Sequence, residues 1–316
     1  MTTLIERWRR LRTPRRLRHM TELNPALELE VPRSHAAGSI RWRGCQIAEL
    51  VPLARSRDQG LGRSCFVIAS GPSLADVDLT KLDDHACFAV NGAIARYAGL
   101  HKGPSHYVIT DPDFIEHRFH LVEAAFATRP FFFLSAAAIS AICERDPSLL
   151  SRSPVSLIET HFCRYGEARL EPHEIERLVA THDSLHASSW RIGFSRDIEV
   201  GLFSAHTVAY YPIQIASYMG FSEVYLLGVD LGSTSAQVRF YERAGSARPS
   251  RMDRDLDKYI LPSFAVLAQV CREAPDFRVY NLSAISRLPA ETIPRLGLDE
   301  ALNRAAERRD LESTDR

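Results

Sequence analysis

Short apolar runs recur along the chain, and each of them ends on a small or polar residue. The runs are CFVIAS, ACFAVN, HYVIT, PFFFLS, VSLIE, EVYLLGVD and FRVYNLS. Strands that are apolar at nearly every position are buried on both faces, which requires helices above and below a mostly parallel sheet. Apolar residues at helical spacing, as from Phe119 to Phe126 and from Leu261 to Cys271, supply such helices. The pattern predicts a doubly wound, Rossmann-like α/β domain over about residues 61–290.

Three segments fall outside this pattern. Between about residues 145 and 200 the strand rhythm fails and His, Ser, Arg and Glu are frequent, so we expect a helical insert or lid there. Residues 21–60 form a leader that the pattern does not place, and residues 291–316 predict a charged tail, either a solvated helix or disorder. The six cysteines lack a C-x-x-C pair, which favours reduced thiols over a disulfide framework or a zinc site.

The charges are balanced overall but not along the chain. With 39 basic and 39 acidic residues the formal net charge is zero, so no bulk attraction to nucleic acid is expected. Residues 1–20 carry seven arginines and one glutamate, with Leu4, Trp8 and Leu11 at helical spacing. This predicts either a basic amphipathic arm for anionic membranes or a frayed, solvated arm. No apolar run is long enough to cross a bilayer, so we expect a cytoplasmic protein, with peripheral contact at the inner face of the cytoplasmic membrane as a further hypothesis.

Ligands of a parallel α/β sheet bind beyond the carboxyl ends of the strands, so the residues that end the apolar runs are candidate site residues. They form a polar set: Ser70, Gly71, Pro72 and Ser73 after the first run, Asn91 after the second, Asp111 and Asp113 after the third, Asp230 after a later one, and Asn281 to Ser283 after the last. Each alone is compatible with an ordinary turn, but five such ends on one rim favour a binding site. The first turn lacks the second glycine and the lysine of dinucleotide and P-loop motifs, although its hydroxyls suit a nucleotide.

Two further stretches could carry chemistry. Asp111 and Asp113 have the spacing at which two carboxylates share a divalent cation, although aspartates beside proline are also common in plain turns. We expect no metal, with magnesium as the less favoured alternative. Farther along, Ser204 or Thr207 predicts the start of a helix that Gly220 ends, and the free N–H groups at that start could hold a phosphate.

The order of ASGPSL, the strand ending in Asn91, the strand ending in Asp111-Pro112, and HTVAYYPIQIASYMGFSEVYLLGVD resembles the bacterial sialyltransferases of glycosyltransferase family 42. It is equally similar to the domain-of-unknown-function 115 group, which includes motility-accessory-factor glycosyltransferases and pterin diphosphokinases. The similarity covers about residues 63–290 and implies a GT-A-like variant of the Rossmann-like fold.

The resemblance also implies roles for two sets of residues. One set lines the nucleotide pocket, and the other holds the donor phosphate. The pocket would be formed by Ser70, Gly71, Pro72, Ser73 and Asn91, with Asp230 on the same rim, and the phosphate would contact N–H groups of Thr207 and Val208 and the side chain of Tyr241. Asp111 departs from the pattern, because those enzymes have an asparagine there.

The expected catalytic base is missing. Family 42 enzymes use a histidine between Gly-x-Asp and the following helix, yet this chain has no histidine after His206. Transfer to a hydroxyl needs a group that accepts its proton, and the sequence does not choose among Asp111, Asp113, His206 and Asp253. The corresponding stretch, ARPSRMDRDLDKYILPSF, includes Arg248 and Arg251, which either bind an anionic sugar or acceptor phosphate or belong to a solvated loop.

These features predict a glycosyltransferase that moves an acidic ulosonic sugar, either sialic acid or 3-deoxy-D-manno-octulosonic acid (Kdo), from a CMP donor to lipopolysaccharide or another surface glycan. A CMP donor carries one phosphate, so a helix start and hydroxyls could suffice without a cofactor. One alternative is an ATP-dependent pterin-type diphosphokinase, which would use Asp111 and Asp113 with magnesium. Another is a non-catalytic nucleotide- or glycan-binding relative, which the missing histidine suggests.

Overall fold

A computed structural model of the protein describes residues 11–32, 34–232 and 252–314, with side chains up to Arg309. In these ranges the strands are β1 (Leu27–Glu30), β2 (Gly38–Trp42), β3 (Cys45–Leu50), β4 (Ser64–Ile68), β5 (Ala86–Val90), β6 (His106–Ile109), β7 (Phe131–Leu134), β8 (Val155–Leu157), β9 (Leu185–Ser189), β10 (Ile192–Ser195), β11 (Glu223–Leu227) and β12 (Arg278–Asn281). The α-helices are α1 (Pro112–His117), α2 (Phe119–Ala127), α3 (Ala136–Arg145), α4 (Pro172–Thr181), α5 (Tyr210–Tyr218), α6 (Met252–Asp255), α7 (Leu261–Glu273) and α8 (Leu298–Thr314). A π-helical turn, Leu256–Ile260, joins α6 to α7.

One large sheet dominates the described residues, with the order β1-β2-β3-β8-β7-β6-β5-β4-β11-β12. From β8 to β12 all neighbours are parallel, so their carboxyl ends lie along one edge, which we call the rim. The chain runs outward from β4 to β8 on one side and returns with β11 and β12 on the other. The gap between the ends of β4 and β11 is therefore the topological switch point, where α/β sheets form their ligand crevice.

The apolar runs are buried on both faces of the sheet, as predicted. In β4, Cys65 and Val67 belong to one core cluster, whereas Phe66 and Ile68 belong to the other. Successive side chains of a strand point to opposite faces, so a strand between two helical layers needs apolar residues at every position. The predicted doubly wound α/β architecture is confirmed, and so are the helices expected between Phe119 and Phe126 and between Leu261 and Cys271.

The segment assigned to a leader, residues 21–60, is part of the sheet. Strands β1, β2 and β3 form an antiparallel meander, and β3 joins the parallel strands through Leu50 and Val155. The strand β1 alternates buried and exposed residues, a weaker signal than the continuous runs of the central strands. At this edge the hydroxyl of Tyr165 accepts a hydrogen bond from the amide of Leu29 at 3.1 Å.

The insert begins later than the sequence suggested, because β8 is a full member of the parallel sheet beside β7. After β8 the chain forms α4 and the separate hairpin β9–β10 before it returns to α5. Part of the basic N-terminal segment packs against this insert. The Arg16 guanidinium donates to the Arg169 carbonyl at 2.8 Å, and His19 lies 3.0 Å from the Arg164 carbonyl oxygen. Residues 1–10 of the predicted arm lie outside the described residues.

The charged C-terminal segment forms a helix that docks on the domain. Ala301 and Ala305 of α8 are buried, and Arg308 bonds to Glu223 at 3.1 Å, whose side chain is only 6% exposed. The alternation of small apolar and charged residues thus marks a packed helix face, not a fully solvated tail. Across the described ranges, no helix is long and apolar enough to span a membrane.

His106 gives the fold a pH-dependent element. Its ring stacks on Phe88 with centroids 4.3 Å apart, and burial lowers the pKa of His106 from 6.5 to about 4. As pH falls below 6.5, His106 is protonated in the unfolded chain before it is protonated in the folded protein. The folded state is therefore favoured fully by the neutral ring above pH 6.5, and this contribution to the unfolding free energy is lost as pH falls towards 4.

We predict that His106→Phe, which keeps the stacking but cannot be protonated, reduces the loss of unfolding free energy between pH 7 and pH 5 by about 1–2 kcal/mol, discounted for partial exposure of the ring. Urea denaturation at both pH values measures this difference. The matched control is His101→Gln, which removes an exposed histidine outside the core. Equal slopes in wild type and His106→Phe would refute this account.

Candidate active site

Asp230 links three chain segments at the switch point. It follows β11, its residue is only 2% exposed, and its carboxylate accepts from the Ser73 amide at 2.8 Å and from the hydroxyls of Ser73 and Ser283. The Asp230 carbonyl also accepts from the Arg287 amide at 2.8 Å. The predicted set of strand ends is therefore brought together after β4, β11 and β12. Asp230 itself supports the turn, and a direct contact between its side chain and a nucleotide stays a prediction.

Gly71 is required by this packing. Its amide donates to the Gly228 carbonyl at 2.9 Å, and a Cβ on Gly71 would overlap with the Asp230 carboxylate and the Gly228 carbonyl. Pro72 then starts a short 3₁₀ turn, Pro72–Leu74. Ser70, Gly71, Pro72 and Ser73 remain partly exposed on the rim, where they can line a pocket. The glycine makes room for Asp230, and a direct contact between Gly71 and a nucleotide stays a prediction.

Asn91 follows β5 with an unusual backbone. Its φ is +42°, in the left-handed region, which asparagine tolerates better than most residues. Its Oδ1 atom is buried, and the described residues supply no hydrogen-bond partner for it. A buried, unpaired carbonyl oxygen costs free energy unless a further donor satisfies it. This atom is therefore suited to accept a hydrogen bond from a ligand.

The two candidate aspartates after β6 have different roles. Asp111 caps α1, with its Oδ1 accepting from the Asp113 amide at 3.0 Å. Asp113 is exposed in the first turn of that helix. Among the described residues, no three His, Cys, Asp or Glu side chains are placed to hold a metal ion. A catalytic role for either carboxylate stays a prediction.

The turn before α5 carries His206. Ala205 and His206 both have positive φ, +43° and +55°, a conformation that costs residues with a Cβ about 1–3 kcal/mol each. Such strain persists where surrounding contacts enforce it, and it is concentrated at functional sites. The helix starts at Tyr210, later than predicted, and Pro212 fits in its first turn. The Thr207 amide already donates to the Ser204 carbonyl at 3.2 Å, so it is engaged, whereas phosphate binding by the Val208 amide stays a prediction.

His206 forms a pair with Asp255, a residue 49 positions farther along the chain. Its Nδ1 lies 3.0 Å from Asp255 Oδ2, and the His206 side chain is 30% exposed while that of Asp255 is 7% exposed. Hydrogen bonds from Arg254 and then from His206 hold the pKa of Asp255 below its usual value, against the effect of burial. An ionised carboxylate can only accept, so Nδ1 carries the hydrogen, and in a neutral imidazole Nε2 then has the lone pair that can accept a proton. The pair has the arrangement of a general base and its orienting carboxylate.

The structure describes only one of the other site residues that were predicted between Asp230 and α7. Asp253 forms an ion pair with Arg287 at 2.8 Å, and both side chains are well exposed. Tyr241, Arg248 and Arg251 lie outside the described residues. Asp255 was not among the candidate bases or binding residues. It lies two positions after Asp253, and nothing in the sequence indicates which of the two aspartates contacts His206.

The Gly71 packing leads to a prediction about stability. We expect Gly71→Ala to lower the unfolding free energy by about 1–3 kcal/mol, because its Cβ must displace the Asp230 carboxylate or the Gly228 carbonyl. Thermal and urea denaturation provide the measurement. Gly297→Ala is the matched control, since a Cβ there meets nothing within 4 Å, and its effect should stay within about 0.5 kcal/mol. A Gly71→Ala protein as stable as this control would show that the turn is not packed in this way.

Comparisons with known proteins identify the class of protein to which this site belongs. Residues 48–298 match the family described as 3-deoxy-D-manno-octulosonic acid transferase WaaZ. Two relatives, each named probable 3-deoxy-manno-octulosonic acid transferase, come from Salmonella typhimurium and Escherichia coli. The first is 27% identical, covering 75% of this chain and 87% of the relative, and the second is 26% identical, covering 74% and 83%.

Two solved structures are similar in outline. The MAf glycosyltransferase from Magnetospirillum magneticum is 16% identical with a TM-score of 0.43, and the match covers 79% of this chain and 37% of that one. The sialyltransferase CstII from Campylobacter jejuni, solved with the substrate analogue cytidine-5'-monophosphate, is 14% identical with a TM-score of 0.38, covering 74% and 84%. Both TM-scores are low, so the assignment rests on the sequence match.

The match extends over most of the chain and includes every parallel strand of the sheet. The matched family and both relatives are named for the transfer of an ulosonic sugar. The protein therefore belongs to the 3-deoxy-D-manno-octulosonic acid transferase WaaZ family, and the predicted activity, a glycosyltransferase that moves an acidic ulosonic sugar, is confirmed.

Proposed function

We propose that the protein transfers Kdo from CMP-Kdo to a hydroxyl of a lipopolysaccharide acceptor, with His206 as the general base. The observation that carries the choice of base is the hydrogen bond between His206 and the buried Asp255. The donor sugar follows from the family and from the names of the relatives. The CMP leaving group and the acceptor follow from the resemblance and stay part of the proposal.

The proposed transfer forms one bond, breaks one bond and moves one proton. The acceptor oxygen forms a bond to the anomeric carbon of Kdo, and the bond from that carbon to the phosphate oxygen of CMP breaks, its electron pair leaving with CMP. The acceptor proton moves to Nε2 of His206. Asp255 fixes the ring through Nδ1 and stabilises the imidazolium that forms.

The other candidate bases are less suited to this task. Asp111 uses its carboxylate as a helix cap, and Asp253 is paired with Arg287. Asp113 is exposed and has no orienting partner comparable to Asp255 among the contacts described. Among the four candidate bases, and within the described residues, only His206 combines partial exposure with a buried carboxylate that sets its tautomer.

The proposed donor pocket uses the rim on either side of the switch point. Ser70 to Ser73 and Asn91 would contact cytidine, where Oδ1 of Asn91, which has no hydrogen-bond partner among the described residues, can accept from the amino group of the base. The Val208 amide, two residues before α5, would approach the single phosphate, with the positive end of the helix dipole adding to its stabilisation. The proposed step uses no metal, because one phosphate can be held by such groups.

We predict that His206→Ala lowers the turnover number by about 10²- to 10⁴-fold, while the affinity for CMP changes less than about threefold. Asp255→Asn should lower turnover by about 10-fold or more with an unchanged donor KM, because it disturbs the tautomer and not the binding of substrate. Turnover is measured by CMP release with purified acceptor, and CMP affinity by calorimetry. The exposed His120 gives a control, since His120→Ala should retain wild-type activity.

Full activity in His206→Ala would place the base elsewhere, with Asp111 and Asp113 tested next by the same assay. A wild-type protein that binds CMP but neither transfers Kdo nor hydrolyses CMP-Kdo would instead favour a non-catalytic relative.

We also propose that the first residues of the chain keep the enzyme near its lipid-linked acceptor. Residues 1–10 carry Arg7, Arg9 and Arg10 with apolar neighbours, and arginines near an anionic surface contribute about 1 kcal/mol each. Deleting residues 1–10 should therefore weaken cosedimentation with phosphatidylglycerol vesicles by about tenfold or more. Phosphatidylcholine vesicles are the neutral control, and equal binding of both proteins to anionic vesicles would contradict this role.

A further inference from the structure

Arg191 is a cation beside the proposed base without a carboxylate partner in the described ranges of the chain. It lies in the turn of the β9–β10 hairpin, where its guanidinium stacks on the ring of Trp190, 4.2 Å from the centroid. Its Nη1 donates to the hydroxyl of Tyr259 at 3.3 Å. Other arginines of this region are paired with acids, as Arg16 is with Glu174 and Arg196 with Asp276.

A second cation approaches the same phenol ring. Lys258 is exposed, and its Nζ lies 5.2 Å from the Tyr259 ring centroid. Lys258 and then Arg191 hold the pKa of Tyr259 below its usual value. The shift has the sign that a locally positive potential produces, because such a potential favours the phenolate. Two positive charges thus surround one neutral side chain.

Tyr259 connects this positive patch to the proposed base. Its ring is stacked on the ring of His206, with centroids 4.1 Å apart and an angle of 8° between the planes. Tyr259 belongs to the π-helical turn, a local distortion of the helix that is often found at functional sites. The guanidinium of Arg191 is therefore separated from the imidazole of His206 by a single phenol.

The hairpin turn is held in this position by a buried histidine. The two ring nitrogens of His161 lie 3.0 Å from the carbonyl oxygens of Leu202 and Trp190. Leu202 is four residues before His206, so the side chain of His161 contacts both the segment leading to the base and the turn that carries Arg191. Stacking on Trp190 fixes one face of the guanidinium and leaves the in-plane N–H groups other than the one bonded to Tyr259 available.

We propose that Arg191, assisted by Lys258, binds the carboxylate of an ulosonic acid at the reaction centre. In such a sugar the carboxylate is attached to the anomeric carbon, so its receptor must lie close to the base that activates the acceptor. A planar guanidinium can bind a carboxylate with two parallel hydrogen bonds. The inference rests on the proposed function, and the carboxylate could come from the donor or from an acid sugar of the acceptor.

The first test is direct binding and needs no turnover. In the presence of CMP, the wild-type protein should bind free Kdo about tenfold or more tightly than Kdo methyl ester by calorimetry, and Arg191→Gln should bind the two equally. Lys258→Gln should partially reduce the preference for free Kdo over its methyl ester. Arg191→Lys should also reduce it partially, because lysine keeps the positive charge but lacks the planar pair of N–H donors of the guanidinium. The matched control is Arg177→Gln, an exposed arginine of α4 that should leave the preference intact.

The second test separates the two sources of the carboxylate. If the donor supplies it, Arg191→Gln raises the KM for CMP-Kdo by about 10- to 100-fold with an unchanged acceptor KM and unchanged inhibition by CMP. If the acceptor supplies it, the acceptor KM rises instead. Thermal denaturation checks that each variant is folded.

Equal binding of Kdo and its methyl ester by the wild type, or a preference that survives Arg191→Gln, would overturn the carboxylate site. A preference that Arg191→Gln abolishes, in a protein that does not transfer Kdo, would overturn the proposed function and leave the site standing.

Discussion

The hydrogen bonds of the Asp230 carboxylate organise the ligand-binding edge of this protein. A carboxylate that is removed from water is stable only when several donors satisfy it, and here Ser73 and Ser283 provide three of them. These donors come from the segments after β4 and β12, whereas Asp230 itself follows β11. The polar turn at the switch point is thus fixed by the hydrogen bonds of a buried side chain, and the glycine at position 71 is what allows that side chain to reach the turn.

The proposed base, His206, is positioned by a strained turn and an irregular helix. The left-handed backbone at Ala205 and His206 delays the start of α5, and the π-helical turn after Asp255 brings Tyr259 against the imidazole. Neither feature is favoured locally, since residues with a Cβ resist positive φ and π-helical hydrogen bonding is rare. Both are held by tertiary contacts, of which the His206 to Asp255 hydrogen bond is the central one.

The sequence predicted the strands in which burial requires an apolar residue at every position. It was less informative about contacts between side chains that are far apart in the chain. Continuous apolar runs predicted the parallel strands and hence the rim on which Ser70, Asn91 and Asp230 lie. The meander β1–β3 was missed because a strand such as β1, with one face exposed, needs only alternate apolar residues. The packing of Gly71 against Asp230 was not predicted, because the group that fills the space beside the glycine comes from a residue more than 150 positions away. His206 was recognised as a candidate, but its orienting partner was not.

The choice between Asp253 and Asp255 shows why that partner was hidden. The two residues flank Arg254 in α6, and residues two apart on a helix point to different sides. Asp253 faces outward to Arg287 and is 50% exposed, whereas Asp255 faces His206 and is 7% exposed. Arg254 bonds to Asp255 from the exposed side, which keeps the buried carboxylate ionised without removing the hydrogen bond to the imidazole. A carboxylate that is buried, ionised and directed at a histidine can orient a base, and an exposed carboxylate paired with an arginine cannot. The division of roles within Asp-Arg-Asp therefore depends on the rotation of α6 relative to the turn at His206, a quantity that only the packed structure determines.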